Sequence, residues 1–236
     1  MNSNSKLAVQ WLGHSTFVIT SPGGKRIVLD PWLEGNPKCP DEHKKITEAD
    51  LILITHGHPD HVGDVFSVAR ITGAPVIAIL EFAKLFEEKG LQSVHGINKG
   101  GTINIAGIGV TMVQAVHTSG FEFDGRMIFV GDPAGYVIRL EDGRSLYFAG
   151  DTDVFSDMAL IKQLHAPEIA FLPIGDHFTM GPQGAALAAD LLGVQQVVPM
   201  HYGTFPVLVG TPSELRALLT PGIELLEFQP GETRVW

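Results

Sequence analysis

Thr55-His56-Gly57-His58-Pro59-Asp60-His61 places three imidazoles and a carboxylate within six residues, His56 to His61. The stretch follows Leu51-Ile52-Leu53-Ile54, an apolar run of strand length. A buried strand that opens into a tight loop with Gly and Pro holds His56 and His58 at i, i+2, where both side chains can turn the same way. Asp60 and His61 begin the next segment and can serve a second position nearby. Neutral imidazole and carboxylate are the donors that borderline divalent metals take. A solvated polar loop has no reason to sit on a buried strand with this spacing. The helical His-Glu-x-x-His signal of metalloproteases is absent.

Outward from this stretch the chain alternates strands and helices. Upstream, Leu7 to Thr20 reads as β structure broken at the turn Ser21-Pro22-Gly23-Gly24, with Arg26 to Leu29 as the next strand. The polar Gly35 to Lys45 segment reads as a loop, and its place before the metal strand makes it a candidate flap. Downstream, the spacing predicts helices over Val62 to Ile71 and Glu81 to Lys89, stopped by Gly73 and Gly90, with a strand from Pro75 to Leu80 between them. Thr102 to Ile105, Val110 to Val116, Met127 to Val130, Tyr136 to Leu140 and Leu146 to Ala149 read as strands. Val154 to Leu164 and Gln183 to Leu192 read as helices, Ile169 to Ile174 and Val197 to Met200 as buried strands. Thr211-Pro212-Ser213-Glu214 is a capping box that opens a helix through Leu219, and a strand near Glu224 to Phe228 closes the chain. Two mixed sheets packed face to face with helices outside would bury both sets.

Further ligand types stand where apolar strands end: His117 after Val116, Asp151 in Gly150-Asp151-Thr152, and His201 in Pro199-Met200-His201-Tyr202. With the first motif they make a metal constellation. The 236 residues suit one domain, 1–236, and the net charge of −10 carries no basic run longer than a pair such as Lys44-Lys45, which argues against nucleic acid as a partner. The single Cys39 excludes an intramolecular disulfide, and no apolar run approaches the roughly 20 residues of a membrane span. A cytoplasmic protein with a small-molecule substrate is the expectation; no heptad marks an interface, so a homo-oligomer stays open.

The pattern resembles the metallo-β-lactamase superfamily over nearly the whole chain, from Trp11-Leu12-Gly13-His14-Ser15 to Pro199-Met200-His201-Tyr202. The resemblance implies an α+β fold, a four-layer αββα sandwich, with the site at one edge of the two sheets. It implies one metal on His56, His58 and His117, a second on Asp60, His61 and His201, and Asp151 bridging them. Gly13-His14-Ser15-Thr16, Asp30-Pro31-Trp32, His177-Phe178-Thr179-Met180-Gly181-Pro182 and His201-Tyr202-Gly203-Thr204-Phe205-Pro206 narrow the likeness to compact bacterial metal-dependent hydrolases akin to the ascorbate-phosphate lactonase branch. In that branch a Gly is more usual where this chain has Asp176.

A dinuclear centre of this donor set lowers the pKa of a shared water and hydrolyses a small ester, lactone or phosphodiester. Zinc is the first expectation, with manganese, iron or nickel as alternatives. Asp60, His177 and His14 are the candidate catalytic residues: Asp60 to orient or deprotonate water, His177 to donate a proton or bind an oxyanion, His14 to face substrate or support a ligand. Thr55, Asp30 and Thr152 are candidates to orient the ligand histidines. Tyr202 reads equally as an oxyanion donor or a core residue, while His43, His95, His165 and Cys39 carry no chemical assignment. An iron-dependent persulfide dioxygenase and a non-catalytic metal scaffold are the rival readings.

Overall fold

The computed structural model describes residues 6–236. Short β-branched and aliphatic runs form β1 (Ala8–Trp11), β2 (Phe17–Thr20) and β3 (Arg26–Leu29), an antiparallel meander. From β3 the sheet continues in parallel through β4 (Leu51–Leu53), β5 (Val76–Ile79) and β6 (Val94–Ile97). The crossovers carry α1 (Pro59–Val62), α2 (Val65–Thr72) and α3 (Leu80–Glu88). Helix α3 lies on β5 and β6 and buries Phe82, Ala83 and Phe86.

The second sheet begins with β7 (Thr102–Ile105) and β8 (Ile108–Gln114). A separate two-stranded ribbon, β9 (Gly120–Phe123) and β10 (Arg126–Phe129), interrupts it. The sheet resumes with β11 (Ala134–Arg139) and β12 (Ser145–Phe148). Helix α4 (Met158–His165), β13 (Ile169–Pro173), α5 (Pro182–Leu192), β14 (Gln196–Met200), α6 (Pro212–Leu218) and β15 (Glu224–Leu225) follow, with β12 to β15 parallel. Finally β16 (Thr233–Val235) returns to pair with β1. The strand orders are β16-β1-β2-β3-β4-β5-β6 and β15-β14-β13-β12-β11-β8-β7.

The sheets pack through aromatic rings. Phe17 of the first sheet meets Phe171 and Phe148 of the second edge-on, at 5.0 and 6.1 Å between centroids. Tyr136 is buried and donates its hydroxyl proton to the Ile54 carbonyl at 2.7 Å, which ties the second sheet to the residue before the histidine motif. Alanine at 185, 186, 188 and 189 lets α5 pack closely on β13. Helices therefore cover both outer faces, and the architecture is the expected αββα sandwich.

Local departures have physical reasons. The Leu7 to Thr20 run is two strands, because the backbone turns left-handed at Gly13 and His14 (φ 93° and 54°). Val62 to Ile71 splits at Gly63-Asp64, where the Asp64 carboxylate accepts the N–H groups of Leu33 and Glu34. The Val154 to Leu164 helix begins only at Met158. Strands β6 and β16 escaped the sequence reading, since each is short and carries no clean apolar alternation, and β9 because its alternation covers only Phe121-Glu122-Phe123. The Gly35 to Lys45 segment is not a flap. Its Asn36 is buried and donates to the Leu12 and Gly13 carbonyls, strapping the segment to the turn behind His14. No residue of that segment lines the cavities beside the histidines.

Candidate metal centre

The chain displays its ligand types at one edge of the sandwich, where the parallel strands end. His56 follows β4, with Asp60 and His61 on α1; His117 follows β8, Asp151 follows β12 and His201 follows β14. His14 joins them from the β1–β2 turn, and its carbonyl accepts the His201 N–H at 3.1 Å and the Trp11 indole N–H at 2.9 Å. These bonds lace the two sheets together at the site. Non-glycine residues with left-handed backbone gather here: His14 (φ 54°), Asp30 (44°), Asp176 (62°), His177 (54°) and His201 (55°). Asp and His tolerate this region better than most residues, but it still stores strain that the surrounding packing must hold. The left-handed backbone at Asp176 explains why a glycine suits that place.

Two groups of four donors form, beside a trio of Asp30, His56 and His61. His56, His58, His117 and Asp151 have ligand atoms within 4.8 Å of one another, as do His14, Asp60, His61 and His201. In the first group His58 Nδ1 stands 3.0 Å from His56 Nε2 and 3.3 Å from His117 Nε2. A single proton on His58 Nδ1 can serve only one of these two contacts, whereas nitrogens sharing one ion at about 2.0–2.1 Å all stand about this far apart. Asp151 links the groups, with Oδ2 3.0 Å from His201 Nε2 and Oδ1 3.3 Å from His61 Nε2. Neither approach has hydrogen-bond geometry. His61 Nε2, Asp151 Oδ1 and both ring nitrogens of His201 are buried without a hydrogen-bond partner. Unsatisfied buried polar atoms are costly and rare. Their convergence fits a metal.

Neighbouring side chains set the tautomers. Asp30 is fully buried and accepts from Thr55 N (2.8 Å), Thr55 Oγ1 (2.6 Å) and His61 Nδ1 (2.8 Å). His61 therefore carries its proton on Nδ1 and turns the Nε2 lone pair inward. The Thr55 hydroxyl, its proton spent on Asp30, accepts from His56 Nδ1 at 2.9 Å, so His56 also presents Nε2. Thr55 and Asp30 thus do what the sequence reading asked of them. Thr152 does not touch a histidine; its hydroxyl accepts the Val116 N–H at 2.9 Å and fixes the backbone before His117.

The electrostatics point the same way. Burial drives His56 far below the ordinary histidine range, and burial does the same to His58 and His117 more mildly. Against the pull of burial, the Asp151 and Asp30 carboxylates hold His61 well above that range. Burial likewise opposes ionisation of Asp151, but His201 and His61 hold it well below the carboxylate range. The pocket favours positive charge between its carboxylates.

His14 is buried and pushed down to about 4, by burial first and then by His201. It is neutral at ordinary pH. Asp60 can only accept, so His14 donates from Nε2 to Asp60 Oδ2 at 3.0 Å, and its Nδ1 takes a proton from Thr204 Oγ1 at 2.9 Å. Both nitrogens are used, so His14 holds Asp60 rather than offering a lone pair. That bond keeps Asp60 ionised although burial works against it. His177 stands apart. It is exposed on the loop after β13 and lines a cavity of about 540 Å³ with Val116, Asp153, Asp176 and Thr179. Tyr202 stacks on Trp11 at 5.4 Å, a packing role.

Residues without an assignment in the sequence reading complete the frame. Ser119 Oγ accepts the Gly57 N–H at 3.1 Å and pins the motif loop. Trp32 meets His14 edge-on at 5.2 Å, and Thr204 anchors its ring. Trp32 and Thr204 both lie in the quoted motifs, but their partners come from distant parts of the chain.

Residues 25–202 match the family model of the beta-lactamase superfamily domain. A UPF0173 metal-dependent hydrolase of Koribacter versatilis is 46% identical over 227 residues, covering 96% of this chain and 97% of that protein. One of Rubrobacter xylanophilus is 48% identical over 228 residues, covering 95% and 94%. Among solved structures, a metallo hydrolase from the archaeon Ignicoccus hospitalis superposes with a TM-score of 0.84 at 35% identity, covering 98% of both chains. A seven-residue His/Asp constellation on an αββα frame, and relatives that match it from end to end, place this chain in the beta-lactamase superfamily, within the UPF0173 metal-dependent hydrolase family.

Proposed function

We propose that this metal-dependent hydrolase binds two divalent ions, one at His56, His58 and His117 and one at Asp60, His61 and His201, with Asp151 between them. We further propose that it cleaves a small ester, lactone or phosphodiester. The observation that carries this reading is that unpartnered buried nitrogens of His61 and His201 face the Asp151 carboxylate, at 3.3 and 3.0 Å, where the two groups meet. Imidazole and carboxylate suit zinc first, and manganese, iron or nickel according to supply. Ions held there would supply Lewis acidity and an activated water.

The residues of the chain do the positioning. Asp30 and Thr55 keep the inward nitrogens of His61 and His56 free of protons. His14 and Thr204 hold Asp60 as a carboxylate facing the second group, so His14 acts through Asp60. His177 is the proton donor or oxyanion contact on the open side. The fixed donors are already in place when substrate arrives, which is how a preorganised site lowers a barrier.

The test is metal-dependent turnover of a panel: a chromogenic phosphodiester, a chromogenic ester and several sugar lactones, with Asp151→Asn as blank. Turnover lost in the variant supports hydrolysis, and the preferred member chooses between phosphoryl and acyl chemistry. Silence with metal bound, together with oxygen uptake on a persulfide, would overturn the reading in favour of the oxygenase rival. His177→Ala should keep its metal and slow turnover; unchanged kinetics would remove His177 from the reaction.

A further inference from the structure

The ribbon of β9 and β10 pairs with neither large sheet, and its two faces differ. Its register sets Phe121 opposite Ile128, Glu122 opposite Met127 and Gly120 opposite Phe129. Directly opposed residues share a face of an antiparallel ladder. The Phe121/Ile128 face is seated on the body: Phe121 packs on Phe82 of α3 at 5.4 Å, and both residues join the core. At the ribbon's tip Lys89 Nζ lies 3.4 Å from the centroid of the Phe123 ring. The opposite face has no such seat. Met127 is 64% exposed and Phe129 71%.

That open face borders the metal centre. Met127, Phe129 and Gly120 of that face, with Ile128 between the first two in the chain, wall a cavity of about 390 Å³ whose other wall includes His58 and His117. This volume falls within the range of small-molecule sites, roughly 300–1,000 Å³. A Cβ added at Gly120 would come within 2.6 Å of Met127 Sδ, so the missing side chain is what lets the thioether lie across the ribbon. Val116, the neighbour of His117, lines the separate cavity that holds Asp153, Asp176, His177 and Thr179. Consecutive residues of one strand end thus border an apolar cavity and a polar one.

Resting on the hydrolase reading above, we propose that the substrate is an amphipathic ester. Its aliphatic chain lies against Met127 and Phe129 beside His58 and His117, and its polar part faces Asp176 and His177. Two large apolar side chains held in the open at a ligand cluster, on a ribbon fastened by its other face, add nothing to the core and are suited to covering an apolar group. Met adds an adaptable surface for chains of differing length.

The experiment uses p-nitrophenyl esters from acetyl to decanoyl, and methylphosphonate and octylphosphonate as uncleaved probes titrated by calorimetry. Wild-type KM should fall with chain length, at most about fourfold per methylene, the limit set by full burial. Octylphosphonate should bind at least tenfold more tightly than methylphosphonate. In Met127→Ser/Phe129→Ser both preferences should vanish while metal content and melting temperature hold. Equal affinities for the two phosphonates, or a preference that survives the double variant, would overturn the apolar subsite. So would a patch that serves only to join two copies, seen as a dimer abolished by the double variant with no chain-length effect. The hydrolase reading fails separately: no ester is then turned over faster than by Asp151→Asn, whatever the phosphonates do.

Discussion

The two ends of the parallel strands present the same kinds of residue and use them in opposite ways. At the starting end, Asp50 precedes β4, takes the Arg26 N–H and the Lys25 ammonium at 2.9 Å each, and leaves nothing wanting. Nearby, Ser21 donates to Glu141 at 2.8 Å and joins the sheets by a satisfied pair. At the finishing end, carboxylates and imidazoles are more deeply buried, the backbone is left-handed at His14, Asp30 and His201, and several polar atoms face one another without a bond. A polar residue at a strand end is thus not by itself a sign of chemistry. The sign is a cluster of buried polar atoms from separate elements that face one another without partners; single orphans such as Arg26 Nε and Ser145 Oγ at the starting end face no such cluster.

This contrast predicts a graded set of outcomes. Asp151→Asn removes the charge shared by both groups. It should lower metal content and cut turnover by on the order of a thousandfold, equivalent to about 4 kcal/mol of transition-state stabilisation. Full metal by mass spectrometry with full activity would break the contrast at its centre. Metal addition comes next. An ion at about a thousand times its Kd stabilises the folded state by about 4 kcal/mol, which for a chain of this size raises Tm by about 10 °C. A chelator should reverse the rise, and a Tm indifferent to both would mean the inward atoms are not ligands.

Asp30→Asn is the third. An amide can offer His61 Nδ1 a donor in place of an acceptor, which moves the imidazole proton to Nε2 and blocks the inward lone pair. Metal affinity should fall about 10- to 100-fold, read by competition with a chelator. Asp50→Asn, at the satisfied end, should leave metal and turnover untouched and cost about 0.2–1 kcal/mol, as partly exposed pairs do. Its pH dependence sharpens the point. Partial burial pushes Asp50 upward, but the Arg26 N–H and Lys25 outweigh it and hold the carboxyl below its ordinary range. A depressed folded pKa stabilises above the unfolded value of about 3.9 and is lost as pH falls through the folded one. The wild-type advantage over Asp50→Asn in denaturant melts should be constant near neutrality and shrink below about pH 4.

Much of this was legible in the chain. The four-residue apolar run into Thr55–His61, the ligand types after other strands, and the capping box at Thr211, confirmed with Glu214, all follow from local pattern. The short strands β6, β9 and β16 were not legible, because runs of three or four residues are recognised as strands only by their pairing partners. The flap expectation for Gly35 to Lys45 failed because Asn36, polar by type, spends its donors on the β1–β2 turn. Of the ribbon that does border the site, β10 was legible as the strand Met127 to Val130, while β9 was not.

By itself, then, the sequence determined the strands and helices and the His and Asp residues that stand at strand ends, since strand length, apolar period and loop residues are local and read directly; the αββα stacking and the gathering of those residues at one edge were what the family resemblance implied. Tertiary structure alone decided which atoms of those residues are free. That His14 holds Asp60 instead of standing open, that Asp30 and Thr55 turn two lone pairs inward, and that Met127 and Phe129 stay uncovered beside His58 and His117 depend on contacts between residues far apart in the chain. Spacing along one strand carries no information about what the opposite sheet brings to meet it.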